Sequence, residues 1–260
     1  DIGFSIIVSL LDEYEMDRVD RILVELLSRQ VEGVIWSIPG IGRTLEGLSH
    51  KFAQSSIPVV FLNKEQTGNN MVVALNNRRG GQMATQHLLE QGYRRIGIVT
   101  GPTGWWEAHQ RQLGWEETLR DAGVTDFDAL AEVGDWSPQS GEMALFHLLE
   151  KSPDLDAVFV SNDQMALGVL QAARHLGLRV PQDLGVVGFD DIPEAAYFYP
   201  ALTTVRQNAR MLGALAVEKL HDYIRGDEEH RQQAAETTWV EPRLIVRESS
   251  TREQQGYQPA

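Results

Sequence analysis

Short runs of apolar and β-branched residues alternate along this chain with longer stretches in which apolar positions recur every three or four residues. The runs at 4–10, 33–38, 58–62, 71–75, 95–100, 157–161 and 184–189 predict strands. Several, such as Val59-Val60-Phe61-Leu62, show almost no alternation, as strands covered on both faces do. Val19, Ile22, Leu23, Leu26 and Leu27 form one helical stripe, and Leu212, Leu215, Ala216, Lys219 and Leu220 sketch another. Ser137-Pro138 suits an N-cap followed by proline at the first helical position. Gly92, Gly123, Gly177 and Gly226 stand where helices would end in a left-handed residue. Strand–helix alternation over this length predicts parallel sheets with right-handed crossovers, an α/β fold. Residues 227–236, charged and glutamine-rich, read as a surface loop, and the tail from Glu248 reads as a frayed end.

Composition narrows the function. A chain of 260 residues is one large domain or two modest ones, and 42% hydrophobic residues supply a sizeable core. The 37 acidic and 23 basic side chains leave a net charge of −14, which argues against gripping nucleic acid through the overall field. No apolar run approaches the roughly 18 residues of a membrane helix, and the first residues lack a signal-peptide pattern. The absence of cysteine removes disulfides, a thiol nucleophile and thiolate metal sites. The seven histidines show no ligand spacing, so neither a metal site nor a cofactor is expected. There is no Gly-x-Ser-x-Gly elbow, and Gly101-Pro102-Thr103-Gly104 lacks the lysine of a phosphate loop. Gly40-Ile41-Gly42 reads as a turn. Asp190 and Asp191 are adjacent on a strand and point to opposite sides, a poor acid–base couple. An enzyme is not indicated.

What does stand out is a set of polar and aromatic residues just beyond strand ends, where open α/β sheets bind ligands. Asn162 follows one strand and Asp190 another, Trp105 and Trp106 follow a third, Arg111 lies near the start of the next helix, and Trp136 precedes Ser137. Carboxylate, amide, guanidinium and indole together suit a sugar, whose hydroxyls need polar partners and whose C–H face stacks on a ring. Each also has a plain structural reading. Asn162 equally suits a helix N-cap, Trp136 a core position, Arg111 a solvated helix charge and Asp190 a turn cap.

The stretch Val160-Ser161-Asn162-Asp163-Gln164-Met165, continued by Gly177-Leu178-Arg179-Val180-Pro181 and Gly185-Val186-Val187-Gly188-Phe189-Asp190-Asp191, closely resembles the LacI/GalR family of bacterial transcription regulators. Pro200-Ala201-Leu202-Thr203-Thr204-Val205, Gly92-Tyr93-Arg94-Arg95-Ile96 and Arg111-Gln112-Leu113-Gly114-Trp115 match as well, in family order. The resemblance implies two doubly wound parallel-sheet subdomains of periplasmic-binding-protein type, joined by three crossings, with an effector in the cleft. On it, residues 1–91 and 209–236 form the first unit, 92–208 and 237–248 the second, and 249–260 a tail.

Carried over by position, the resemblance gives Arg111 and Asp190 as sugar-hydroxyl partners, with Asn162 beside them and Trp136 stacking on the ring. Gln207, just after the third crossing, and Asn63 border the cleft, and Trp106 enters it where the family usually has small residues. The implied partner is a mono- or disaccharide effector, bound without chemistry in a cytoplasmic regulator. The implied helix-turn-helix headpiece, first strand and first helix are expected to be missing, so that this sequence is a piece of a longer protein and 4–10 is the family's second strand. Operator DNA would be met only through that headpiece. Helices over 78–90 and 211–223, assigned to the first unit, carry more apolar residues (Met83, Leu215, Tyr223) than one buried stripe needs and predict a homodimer. A periplasmic sugar-binding protein of a transport system shares the same fold and cleft and is the alternative, while a carbohydrate-active enzyme using Asp190 is more remote.

Overall fold

The computed structural model describes residues 5–10, 16–37, 57–65, 69–227 and 236–252. Two separate sheets divide them. The first begins with helix α1 (Met16–Ser28), then strands β1 (Val34–Trp36), β2 (Val59–Leu62) and β3 (Met71–Leu75), all parallel, with Val34 opposite Val59 and Val60 opposite Met71. One face buries Val34, Trp36, Val59, Phe61, Val72 and Ala74, with Leu26 of α1 packed on it. The opposite face buries Val60, Met71, Val73 and Leu75 under Leu212 and Ala216 of helix α6 (Ala209–Arg225). Both faces are covered, as the unbroken apolar runs demand.

The second sheet is built from helix α2 (Asn77–Glu90), β4 (Ile96–Thr100), α3 (Trp106–Asp121), β5 (Ala131–Val133), α4 (Pro138–Lys151), β6 (Ala157–Val160), α5 (Asp163–His175), β7 (Gly185–Asp190) and β8 (Thr203–Arg206). Late in the chain, β9 (Thr237–Val240) joins the first sheet, giving the order β1-β2-β3-β9, and β10 (Arg243–Ile245) joins the second, giving β10-β8-β7-β6-β4-β5. Every pairing is parallel except β10 with β8. Trp115 and Tyr93 are the largest side chains of the second core. The Trp115 indole donates to the Ile96 carbonyl at 3.2 Å, so burying this ring leaves no orphaned N–H. Gly81 and Gly114 let α2 and α3 touch backbone to backbone, because a β-carbon on either would overlap the carbonyl of Arg111 or Arg78.

The chain passes between the sheets three times, after β3, after β8 and after β9. Asn76 ties the first and third passages together: its amide N–H donates to the Val240 carbonyl at 3.0 Å and its side chain donates to Glu241 Oε1 at 3.0 Å. Several expectations change here. The first passage falls at Asn76 rather than after residue 91, because α2 packs its buried Ala84 and Leu88 into the second core. Residues 237–240 belong to the first sheet, where their ladder on β3 outweighs their nearness in sequence to β10. Gln207 follows the second passage, not the third.

The run at 4–10 is not a strand in its described part. Ile6, Val8 and Leu10 are exposed, and no described strand offers them a ladder, without which a β-branched run gains little. Residues 248–252 are not frayed: Ser249 and Ser250 are fully buried, and Ser249 Oγ donates to the Val186 carbonyl at 2.6 Å. Gly92, Gly123 and Gly177 take the left-handed conformation, at φ +89°, +87° and +73°, but Gly226 is extended at φ −77°. Gly40-Ile41-Gly42 and most of the loop at 227–236 lie outside the described residues. No helix among the described residues is long and apolar enough to cross a membrane.

Candidate functional site

The parts of the site sit beyond the carboxyl ends of strands of the second sheet and in the first turns of the helix Trp106–Asp121. Strand β7 ends on Asp190, and the next turn holds Asp190 and Asp191 at φ +114° and +57°, a left-handed conformation that asparagine and aspartate tolerate better than most residues. Helix α3 carries Arg111 inward. The Arg111 Nε donates to Asn77 Oδ1 at 2.8 Å, and its terminal nitrogen donates to the Ser161 carbonyl. The guanidinium lies 3.8 Å from the centre of the Phe189 ring and 3.9 Å from Asp190 Oδ1. Gln207 donates to the same Asp190 oxygen.

Burial pulls the Arg111 pKa down, and the carboxyl groups of Asp190, Glu107 and Asp163 oppose it. Burial also pushes the Asp190 pKa up, partly offset by Arg111 and Gln207. Its neighbour Asp191 has the opposite fate: Arg206 and Arg247 (the latter at 2.7 Å) hold its carboxyl below the usual range. Asp163, fully buried at the start of α5, accepts from the Thr204 hydroxyl at 2.6 Å and the Ile192 amide at 2.9 Å. Desolvation, aided by Asp190 and Asp191, raises its pKa to about 7.

Trp136, at φ +74°, lays its ring over Gly101, where any β-carbon would collide with it. It meets Trp105 edge-on at 5.4 Å and lies 5.7 Å from the Arg111 guanidinium. Asn162 does cap α5, its Oδ1 accepting from the Met165 amide at 2.8 Å, while its Nδ2 donates to the Trp136 carbonyl at 3.1 Å. The cap and the site are therefore one device, since Asn162 fixes the loop that aims Trp136.

Arg111, Asp190, Asn162, Trp136 and Gln207 thus form one connected group. Two other predicted residues do not join it through any direct contact. Asn63, at the end of β2, uses its Oδ1 to accept from the Leu75 amide at 2.9 Å, and its φ of +48° marks a turn. Trp106 stacks on Trp239 at 6.5 Å and packs against the first core. The sequence reading missed Asn77, Phe189, Ser161 and Glu107. For Glu107 a signal existed, because it lies four residues before Arg111 and so shares its helix face.

Three buried polar atoms on residues around Arg111 have no hydrogen-bond partner: Glu107 Oε2, Trp136 Nε1 and Ser161 Oγ. Leaving one such atom unpaired costs about 1–3 kcal/mol, so their gathering around Arg111 calls for a polar guest. Among the described residues no group of three potential metal ligands occurs.

A family model for the periplasmic binding protein-like domain matches residues 85–250. The HTH-type transcriptional repressor PurR of Edwardsiella ictaluri is 36% identical over 234 residues, covering 89% of this chain and 63% of the repressor. The ribose operon repressor of Halalkalibacterium halodurans is 32% identical, covering 95% of this chain and 71% of its own. This chain belongs to the LacI/GalR family. Solved structures of the family agree. The lac repressor dimer bound to operator and the anti-inducer ONPF superposes with a TM-score of 0.84, at 27% identity, over 96% of this chain and 73% of that one. The transcriptional regulator CelR–cellobiose complex superposes with a TM-score of 0.76, at 32% identity, over 88% of this chain and 69% of that one. The LacI/GalR fold therefore holds over nearly the whole chain, including β9 and β10, whose assignments pattern alone did not give.

Proposed function

We propose that this chain is the effector-sensing core of a transcription regulator, and that its effector is a mono- or disaccharide. The observation that carries the reading is the cluster of orphaned polar atoms around Arg111, set between a carboxylate, Asp190, and an indole face, Trp136. Sugar hydroxyls both donate and accept, and the axial C–H face of a pyranose packs on an aromatic ring. A cellobiose-bound regulator and a ribose operon repressor among the similar proteins support the sugar reading, while the PurR repressors among them are the reason the test below includes free nucleobases. Asp191, next to Asp190 in the chain, is held by two arginines and so is a poor acid–base partner for it in a hydrolase.

Binding would act through the passages between the sheets. Asp190 is bonded to Gln207 beside the second passage, and Asn76 links the first to the third. A ligand that favours one relation of the two sheets shifts the population toward it, and operator affinity follows in the whole protein. The chain is further proposed to act as a homodimer. Helices α1 and α6 flank the first sheet and leave Val24, Leu27, Met211 and Val217 exposed, and a family member forms a dimer on its operator. Helix α2, expected to share that surface, is committed to the second core instead.

Thermal-shift measurements with glucose, ribose, lactose, cellobiose and free nucleobases test the effector class. A ligand at about 100 times its dissociation constant stabilises by roughly 2.7 kcal/mol. A shift with a nucleobase and none with any sugar would replace the sugar reading. Light scattering at micromolar concentration tests the dimer.

A further inference from the structure

We propose that Glu107 is a specificity-determining residue of the cleft, accepting a hydrogen bond from a hydroxyl of an uncharged sugar and turning away its phosphorylated or acid counterparts. The inference rests on the sugar reading above and names the class of sugar.

Glu107 stands in the first turn of α3, directly after the extended cap residue Trp105. A carboxylate is electrostatically at ease at a helix N-terminus, but this one is not satisfied there. Its Oε2 is buried without a hydrogen-bond partner, and burial raises its pKa above the usual range despite its own amide and Arg111. Arg111, one turn along the same face, would be its natural partner, yet its donors are turned to Asn77 and the Ser161 carbonyl. An acceptor left bare beside a cation that bonds elsewhere is poised for a donor from outside the chain. Sugar hydroxyls are such donors.

The charge of the site selects further. Glu107, Asp190 and Asp163 all act on the single guanidinium of Arg111. Arg206 and Arg247, the neighbouring cations of the second sheet, are engaged by Asp191. Among the described residues, Arg111 is the one cation that acts on Glu107. A phosphate or carboxylate offers only acceptors and would meet an excess of carboxyl groups in a low-dielectric setting, where like charges repel strongly. The other two orphaned atoms complete the match, since the Trp136 indole N–H donates and the Ser161 hydroxyl does either.

The test titrates the wild type, Glu107→Gln and Glu107→Ala with glucose, ribose, lactose and cellobiose, and with glucose 6-phosphate, ribose 5-phosphate and gluconate. The wild type should bind at least one neutral sugar and prefer it to its anionic counterpart by about tenfold or more, a difference of one decade in dissociation constant. Glu107→Ala should weaken the neutral sugar by about tenfold or more, and Glu107→Gln should narrow the discrimination by a similar factor. Glu107→Ala should melt no lower than the wild type without ligand, because it removes a buried unpaired acceptor whose burial outweighs its attraction to Arg111, whereas Glu107→Gln exchanges that oxygen for an equally unpaired amide and should melt close to the wild type. Neutral-sugar affinity unchanged in both variants, equal or tighter binding of the anionic sugar by the wild type, or a lowered ligand-free melting point of Glu107→Ala would each overturn the role of Glu107. A wild type that binds none of the sugars would overturn the sugar reading itself, and this inference with it.

Discussion

Replacing Asp190 by alanine separates a binding role from a structural one. The carboxylate sits 3.9 Å from the Arg111 guanidinium, and its side chain is 29% exposed. At that distance the bare attraction is about 4 kcal/mol at an effective dielectric of 20. The net stability loss should be smaller. Arg111 keeps the carboxyl groups of Glu107 and Asp163 and its hydrogen bonds to Asn77 and Ser161. We expect a ligand-free cost of about 1–2 kcal/mol, below the 3–5 kcal/mol of breaking an otherwise isolated buried pair. That corresponds to a melting point lowered by roughly 2–8 °C in a chain of this size. Sugar affinity should fall by more, about 10- to 150-fold, the equivalent of 1.5–3 kcal/mol for hydrogen bonds to a charged group. Asp190→Asn is the control, since asparagine tolerates φ +114° as well as aspartate and keeps an acceptor for Gln207. It should melt closer to the wild type than alanine does while still losing affinity. Calorimetric titration beside ligand-free melting reads both quantities. A folded Asp190→Ala chain with undiminished sugar affinity would refute the site, and a chain that no longer folds would show that Asp190 serves the fold first.

Trp136→Ala should weaken all bound sugars by a similar factor without reordering them, because stacking reads ring shape rather than hydroxyl stereochemistry, and Trp136→Phe should recover part of the loss; a reordered panel would contradict this. The raised Asp163 pKa, about 7 against an ordinary 3.8, means that the native state holds a proton the unfolded chain has lost between about pH 4 and 7. Its destabilising effect therefore grows as pH rises through that window and is flat above it, so the melting point of Asp163→Asn relative to wild type should rise from pH 4.5 to 7.5, and a pH-independent difference would contradict the assignment. Two glycines in helices should respond with opposite signs to alanine: Gly213 has open space around it and should gain about 0.5–1 kcal/mol, whereas Gly114, pressed on the Arg78 carbonyl, should lose about 1–3 kcal/mol in denaturant unfolding. Equal responses would mean that the α2–α3 contact is looser than described.

The strands buried on both faces were legible because their apolar runs leave no other reading: the run at 71–75 is β3 to the residue, and Ser137-Pro138 opens α4 as its chemistry requires. The β9 and β10 strands were not legible, since Thr237–Val240 and Arg243–Ile245 are short, partly exposed and separated by two residues, yet join different sheets. Only long-range pairing assigns them. Residues 4–10 failed for the converse reason, a strong local preference with no described ladder to realise it. At the site, residue types at strand ends pointed to Arg111, Asp190 and Trp136. Glu107 had one legible signal, its place four residues before Arg111 on the same helix face, but its unpaired oxygen and that of Ser161 are significant for what they do not touch, which no pattern of residues displays.

The same residues violate the ordinary rules of folding more than once, and this is the strongest physical reason to place function here. Five described non-glycine residues have positive φ, and Asn63, Trp136, Asp190 and Asp191 are four of them, all just beyond strands or before a helix of the site region. Each such conformation costs of order 1–3 kcal/mol and survives only where its surroundings enforce it. Here they do: Asn162 grips the loop of Trp136, Gln207 and Arg111 hold Asp190, and two arginines hold Asp191. Strain, unpaired buried atoms and three carboxyl groups around one cation would all be relieved by ordinary substitutions that fill, pair or neutralise. A chain selected for stability alone would be expected to take them. That the strained Asp190 and Trp136, the unpaired atoms and the three carboxyl groups persist together around one guanidinium is what a site kept ready for a hydroxyl-bearing guest requires.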